Sequence, residues 1–319
     1  MNRAVIEYIR LEKNPRRGLF AFEWVVLAYL ALTLLMIFFA YTKLQNPQSM
    51  IWGRMRVVAI TASLWAVYRM VPCRLTILIR VVAQMLLLSW WYPDTYELNR
   101  ILPNMDHLFA TCEQQLFGYQ PALLFHQQMP QHWFSEMMDL GYSSYFPMIL
   151  LVLVFIFLFR YKDFQRATWV VLGSFFLYYV IYVVLPVTGP QYYYGAVGLD
   201  QVAKGVFPNV GDYFMTHAER MTSPGWSDGF FYHMVENAHN AGERPTAAFP
   251  SSHVGVSTIL MLLAMRTKSL WLCLALLPFY LLLCVSTVYI QAHYVIDAVA
   301  GLVSGVAFYL LFLYLPKKV

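Results

Sequence analysis

The chain has 319 residues, of which 60% are hydrophobic and only 12% are charged. Soluble domains carry roughly 25% charged residues, so this composition indicates lipid as the main solvent and excludes an ordinary soluble domain. The formal net charge of +5 comes from short basic clusters between apolar stretches, a pattern typical of membrane topology signals and not of nucleic-acid binding. The four cysteines show no CxxC spacing, so we expect neither a disulfide framework nor a cysteine-based zinc site.

Long apolar stretches predict an all-α, polytopic membrane protein with about eight spanning helices. A spanning helix needs about 20 predominantly apolar residues, and no alternating strand pattern of a membrane barrel is present. The predicted spans cover residues 20–41, 55–70, 75–92, 143–160, 167–187, 250–265, 269–286 and 294–315. Because lipid offers no partner for a free backbone group, helices are the expected form of these stretches.

The positive charges predict the orientation of these spans. The basic residues that flank them on one side are Arg3, Arg10, Lys13, Arg16, Arg17, Arg69, Arg74, Arg160, Lys162, Arg166, Arg266, Lys268, Lys317 and Lys318. Short basic connections face the cytoplasm in most membrane proteins. We therefore expect both termini in the cytoplasm and two long exoplasmic segments, residues 93–142 and 188–249. In a bacterial inner membrane, the exoplasmic side would be the periplasm.

The first exoplasmic segment mixes apolar and polar residues over residues 105–140. This pattern favours short amphipathic helices that lie in the membrane interface, with a soluble cap as the alternative.

The sixth span opens on the run Phe249-Pro250-Ser251-Ser252-His253. Proline suits a first helical turn and serine is a good amino-terminal cap. Such a helix start directs free N–H groups towards the exoplasmic water, where they can hold a phosphate. His253 could then give a proton to a leaving oxygen. An ordinary capped helix with an interfacial histidine is the alternative.

A second candidate group lies at the start of the eighth span. His293 and Asp297 are four residues apart, so we expect them on one helix face, where the carboxylate can orient the imidazole as a nucleophile. An acidic residue inside an apolar span is costly, which favours a functional role for Asp297. A structural His–Asp pair is the alternative. His233 and His239 could join His253 in a metal site, but no compact ligand spacing supports one.

These two runs resemble motifs of a known family. The Pro-Ser-Ser-His run resembles the Pro-Ser-Gly-His motif of the type 2 phosphatidic acid phosphatase superfamily, and residues 286–297 resemble its Ser-Arg-x5-His-x3-Asp motif. The resemblance implies a six-helix catalytic bundle and a phosphohistidine mechanism without metal or cofactor. It implies that His293 attacks phosphorus, that Asp297 orients His293 and that His253 protonates the departing alkoxide. Ser251 and the N–H groups of Ser252 and His253 would hold the phosphoryl oxygens.

The resemblance also implies a division of the chain. Residues 1–74 would form a cytoplasmic segment and two extra spanning helices, and residues 75–319 would form the catalytic bundle with exoplasmic loops 93–142 and 188–249.

The chain departs from the family pattern in two ways. Thr287 replaces the arginine of the third motif, and Asn237 stands where the lysine of a first motif would precede Arg244. Because a guanidinium pairs well with a dianionic phosphate, its loss favours a singly charged phosphodiester. Arg244 could supply the missing charge or be a plain surface arginine. Gln191 and Tyr192 are further substrate-binding candidates, although the tyrosines at 192–194 also fit an interfacial aromatic belt.

The stretch from Asp106 to Tyr145 resembles the inositol phosphorylceramide synthase-like branch of that superfamily. This resemblance implies an enzyme of sphingolipid metabolism that moves phosphoinositol from phosphatidylinositol to ceramide and releases diacylglycerol. Its partners would be membrane lipids, with no nucleic acid. One alternative is a phosphatase acting on phosphatidic acid, polyprenyl phosphate or another lipid phosphate. A transporter or channel is another, but the ionisable groups lie near predicted helix ends.

Overall fold

The fold is known from a computed structural model that describes residues 7–315, and within that range it contains helices and connecting loops but no strand. Three predicted topology signals, Arg3, Lys317 and Lys318, lie outside the described residues. In chain order the helices are α1 Ala21–Ala40, α2 Pro47–Met70, α3 Arg74–Asn99, α4 Asp106–Phe117, α5 Pro121–Gln128, α6 His132–Ser143, α7 Tyr145–Phe159, α8 Tyr161–Val184, α9 Pro190–Val197, α10 Leu199–Ala203, α11 Phe230–Gly242, α12 Ser252–Arg266, α13 Leu270–Tyr289 and α14 Val295–Tyr314.

Every predicted span coincides with a helix, and the all-α polytopic class is confirmed. Among the described residues, six helices are long and apolar enough to cross a membrane: α1, α2, α3, α8, α13 and α14. The helices α7 and α12 have only 15 residues, about 22 Å of rise against a hydrocarbon core of about 30 Å. α7 joins α6 at a bend of 45°, and the two together pass as a seventh span. By length and apolar composition, residues 7–315 therefore contain six spans, or seven if α6 and α7 form one, where the sequence predicted about eight.

The amino-terminal unit, which extends to Asp94, contains two buried ion pairs. Arg54 binds Asp94 through two hydrogen bonds, of 3.0 and 2.7 Å, and also donates to Thr33. Arg80 binds Glu23 in the same bidentate way, and all four charged side chains are buried. Charged side chains inside a membrane protein are costly, and they are usually paired with one another. These pairs therefore join α1, α2 and α3 to one another through their polar groups.

The boundary between the two compact units lies within α3, after Asp94, and the division of the chain at residue 74 stays a prediction. The carboxy-terminal unit runs from Thr95 to Tyr314 and contains both histidine motifs.

Small residues bring α12 and α14 close together within the carboxy-terminal unit. A Cβ added at Gly301 would lie 2.4 Å from the carbonyl oxygen of Ser251, and one added at Gly305 would lie 2.5 Å from that of Gly255. Glycine at such crossings lets two helix backbones approach directly. As a result the N–H of Ser251 donates to the carbonyl of Asp297 at 3.0 Å, so the two histidine motifs share a backbone hydrogen bond.

The predicted amphipathic helices of residues 105–140 are present as α4, α5 and α6. On α4 the buried face carries two acids, Asp106 and Glu113, while Leu108 and Leu116 are exposed. The face of α4 that packs against the protein therefore carries two carboxyl groups, and its exposed face carries leucines. Placement of these helices in the membrane interface stays a prediction.

Candidate active site

His253 lies at the start of α12, in the first turn. Ser251 caps this helix, and its Oγ accepts the N–H of Val254 at 3.4 Å. Pro250 precedes the cap, so the expectation that it would begin the first helical turn was wrong by two residues. The cap stabilises the first helical turn and thereby the backbone of His253.

His293 lies in the turn between α13 and α14 and not on the helix that carries Asp297. The sequence-based placement of both side chains on one helix face was therefore wrong, because α14 begins only at Val295. The N–H of His293 donates to the carbonyl of Thr287 at 3.0 Å. Its Nδ1 lies 2.8 Å from the carbonyl oxygen of Ala248.

The two histidines face each other directly. Nε2 of His293 lies 3.5 Å from Nδ1 of His253. A carbonyl can only accept, so the contact of Nδ1 with Ala248 fixes the proton of neutral His293 on Nδ1 and leaves the Nε2 lone pair available. Burial lowers the pKa of His293 to about 4, so the ring is neutral at pH 7. This is the protonation state that a nucleophilic imidazole requires.

Asp297 connects the two motifs. Its Oδ2 accepts the N–H of Tyr294 at 2.9 Å and lies 3.7 Å from Nδ1 of His293. Its backbone carbonyl accepts the N–H of Ser251. The carboxylate is therefore placed to stabilise a positive charge on His293, while Ala248 makes the direct hydrogen bond.

Two buried acids of α4 support the turn that carries His293. Glu113 accepts the N–H groups of Val295 and Ile296 at the start of α14. Burial, followed by the nearby charge of Asp297, raises the pKa of Glu113 to about 7. A carboxyl group at a helix amino terminus satisfies N–H groups that have no partner within the helix.

Asp106 makes a similar connection from the first residue of α4. Its carboxyl oxygens accept hydrogen bonds from the backbone N–H of Thr188, from that of Gly189 and from the hydroxyl of Tyr294. Burial raises the pKa of Asp106. Neither acid was predicted as part of the site. Their spacing of seven residues, which places both on one face of an amphipathic helix, is the signal that could have found them.

A family model described as the PAP2 superfamily matches residues 107–311, more than half of the chain. The chain belongs to the PAP2 superfamily. No curated protein and no solved structure matches it. The predicted superfamily is thereby confirmed, and membership supports a lipid phosphatase or phosphotransferase activity.

The predicted phosphate cradle of this PAP2 site is partly occupied by internal contacts. The N–H of Ser252 donates to the hydroxyl of Tyr182 at 3.0 Å, and that hydroxyl donates to the carbonyl of Pro250 at 2.9 Å. Ser251 Oγ is engaged as the helix cap, as described above. Tyr182 was not predicted, since nothing in a single apolar span marks one of its tyrosines.

The remaining substrate-binding candidates, and the Thr287 that replaces the arginine of the third motif, lie in three different settings. Arg244 is exposed and donates to the carbonyl of Glu243 at 2.8 Å. Gln191 and Tyr192 are buried, and the N–H of Gln191 donates to the carbonyl of Gln291 two residues before His293. The Oε1 atom of Gln191 has no hydrogen-bond partner. Thr287 is buried, and its hydroxyl donates to the carbonyl of Cys284 at 3.0 Å.

Proposed function

We propose that this PAP2 enzyme transfers a phosphorylated head group from one membrane lipid to another. The specific reaction is phosphoinositol transfer from phosphatidylinositol to a ceramide, with release of diacylglycerol. The observation that carries the proposal is the contact between Nε2 of His293 and Nδ1 of His253. It pairs an imidazole with a free lone pair against a second imidazole that can hold a proton.

The first half of the reaction would use His293 as nucleophile. Its Nε2 forms a bond to phosphorus while the bond from phosphorus to the diacylglycerol oxygen breaks. His253 gives a proton to that oxygen, so diacylglycerol leaves as a neutral alcohol. The phosphorylated ring becomes cationic, and the carboxylate of Asp297, 3.7 Å from Nδ1, offsets that charge.

The second half would run in the opposite direction with a new alcohol. His253, now neutral, takes the proton of the ceramide hydroxyl as its oxygen attacks phosphorus. The bond from phosphorus to Nε2 of His293 breaks, and both histidines return to their starting states. No metal or cofactor enters either step of this proposal.

The charges around the site support a phosphodiester as the donor. At the third-motif position the buried Thr287 brings no positive charge. Arg220, whose charge acts on Tyr142 and Tyr192, is held by two hydrogen bonds to Glu236. A diester carries one negative charge where a monoester carries up to two, so it needs less compensation.

The membrane geometry supports lipid substrates. The histidines belong to segments that begin two apolar helices, α12 and α14, which favours a site near a membrane surface, where lipid phosphates lie. The positive-inside pattern favours the exoplasmic face for this site and the cytoplasm for both termini.

The test uses the purified full-length protein in detergent with fluorescent ceramide, with and without phosphatidylinositol. Thin-layer chromatography separates the labelled products, and a free-phosphate assay with phosphatidic acid runs in parallel. The proposal expects a phosphorylated ceramide that requires phosphatidylinositol and is absent with His293→Gln. Phosphate release from phosphatidic acid without that product would overturn head-group transfer and assign a lipid phosphate phosphatase.

A further inference from the structure

Two tyrosine rings contact the imidazole of His253. Tyr142 lies with its ring centroid 4.6 Å away and its plane tilted by 27°, and Tyr145 lies 4.5 Å away with a tilt of 45°. Tyr142 lies in the last turn of α6 and Tyr145 begins α7, on either side of the bend at Ser143 and Ser144. The bend therefore presents both rings to His253.

Both tyrosine hydroxyls have polar partners other than the imidazole of His253. The hydroxyl of Tyr145 donates to the carbonyl of Ser252 at 3.4 Å, next to His253 in the chain. The hydroxyl of Tyr142 lies 3.4 Å from Nε2 of His239, a buried residue of α11. The hydroxyl of Tyr142 is therefore held by a third histidine, while its ring stacks on His253.

His239 is suited to accept that hydrogen bond. Burial, followed by the charge of Arg220, lowers the pKa of His239 to about 3, so its ring is neutral. Nδ1 of His239 lies 3.9 Å from Glu236 Oε1, which electrostatically favours the proton on Nδ1. In that tautomer Nε2 is an acceptor, and the hydroxyl of Tyr142 donates to it.

The site needs such a restraint because its present geometry has no room for the substrate between the histidines. In-line transfer places the nucleophile about 3 Å from phosphorus and the acid about 2.6–3.2 Å from the leaving oxygen, so the two nitrogens must stand roughly 6 Å apart or more. In the structure, Nε2 of His293 and Nδ1 of His253 are 3.5 Å apart. Since Ala248 and Thr287 hold His293, displacement of His253 is the simpler way to admit the phosphoryl group.

We propose that Tyr142, anchored by His239, is a positioning residue that keeps the plane of His253 while the ring slides away from His293. A stacked neighbour restrains tilt of an imidazole but permits displacement within its own plane, since the aromatic contact is maintained. Proton donation to the leaving oxygen depends on that plane. The inference rests on the proposed role of His253 as acid and base, and it holds for either a lipid or a water acceptor.

The test compares two donors that differ in their need for an acid. One is phosphatidylinositol, which has an alkoxide leaving group. The other is a p-nitrophenyl phosphodiester, whose phenolate leaves without protonation. His253→Asn sets the benchmark for loss of the acid. Tyr142→Leu removes the ring, Tyr142→Phe removes only the hydroxyl, and Tyr68→Leu removes another buried ring, from the amino-terminal unit.

We expect Tyr142→Leu to lower kcat for phosphatidylinositol by about tenfold or more, within the range that acid catalysis contributes. KM should stay within about threefold, and so should turnover of the nitrophenyl ester. Tyr142→Phe should retain turnover of both donors within about fivefold, because the ring remains. Tyr68→Leu should lower both rates in the same proportion, through the amount of folded protein alone.

An equal loss of both donors in Tyr142→Leu, or no loss of either, would overturn the positioning role. If Tyr142→Leu does not fold, Tyr142→Phe and His239→Phe each break the anchoring hydrogen bond, and both should lower the ratio of the phosphatidylinositol rate to the nitrophenyl rate by about threefold. The ratio of the two rates tests Tyr142, whereas the identity of the lipid product tests the proposed transfer. The two inferences therefore fail separately.

Discussion

The carbonyl oxygen of Ala248 lies 2.8 Å from Nδ1 of His293, closer than the carboxylate of Asp297 at 3.7 Å. The residue that fixes the proton on this imidazole is therefore a backbone group of the segment that leads into the other histidine. Ala248 precedes His253 by five positions, so this hydrogen bond joins the loop before α12 to the turn before α14 through the imidazole of His293. The position of His293 is therefore coupled to that of the segment that carries His253.

Replacement of either histidine should abolish turnover. We expect His293→Gln and His253→Asn each to lower kcat by about a thousandfold or more, because each removes an atom that takes part in bond making or proton transfer. The measurement is initial-rate transfer to fluorescent ceramide by purified protein. His217→Gln, at an exposed histidine stacked on Tyr213, is the control and should leave the rate unchanged. Loss in the control to the same extent would contradict this account.

Added volume at the close crossing of α12 and α14 should also lower activity strongly. Gly301→Ala places a Cβ 2.4 Å from the carbonyl of Ser251, so the helices must separate and the histidines with them. Misplacement by 1 Å can cost about a hundredfold in rate, and overpacking costs about 1–3 kcal/mol in stability. Gly242→Ala is the matched control, since a Cβ there meets nothing within 4 Å. Activity and thermal unfolding of both variants are the measurements, and an unimpaired Gly301→Ala enzyme would be inconsistent with the packing described.

Glu113 should give the protein a pH-dependent stability. Its pKa is about 7 in the fold against 4.5 in the unfolded chain, so between these values the folded state binds more protons. The free energy of unfolding therefore falls as pH rises from about 4.5 through 7, by an amount on the order of 3 kcal/mol. Glu113→Gln should remove this component, so the difference in Tm between wild type and variant should change between pH 5 and pH 8. A difference in Tm that is constant over that range would contradict the assignment.

The effects of substitutions at Arg54 and Asp94 on the free energy of unfolding should depend on each other, because the two side chains form a buried ion pair. Arg54→Met alone leaves a buried carboxylate without its partner and should destabilise the protein by about 3–5 kcal/mol. The double variant Arg54→Met with Asp94→Leu should recover most of that loss, because no unpaired charge remains. Arg74→Gln, which breaks the more exposed pair with Glu7, is the control and should cost at most about 1 kcal/mol. A double variant less stable than the single one would argue against this interpretation of the pair.

Much of the fold could be predicted from the sequence, because lipid imposes a strong rule on apolar stretches. The spans at 269–286 and 294–315 coincide with α13 and α14 to within a few residues. The order and identity of the two histidine motifs were also visible, and the superfamily they implied is confirmed. The roles of His253, His293 and Asp297 stay predictions.

What the sequence did not predict depends on tertiary contacts. The start of α14 at Val295, which places His293 in a turn, depends on Glu113 binding the first N–H groups of that helix. The hydrogen bond from His293 to Ala248 joins residues 45 positions apart and involves a backbone atom, which no side-chain pattern reports. The contacts of Tyr142 and Tyr145 with His253 likewise join segments more than a hundred residues apart in the chain.

The central claim is that the head group passes through a covalent bond to His293. The most direct measurement is intact-peptide mass spectrometry after a rapid quench of the full-length enzyme with phosphatidylinositol and no acceptor. The account predicts a phosphoinositol adduct on the peptide that contains His293, lost on addition of ceramide and absent in His293→Gln. An adduct on His253 or Ser251, or single-turnover product formation without any adduct on the protein, would contradict it.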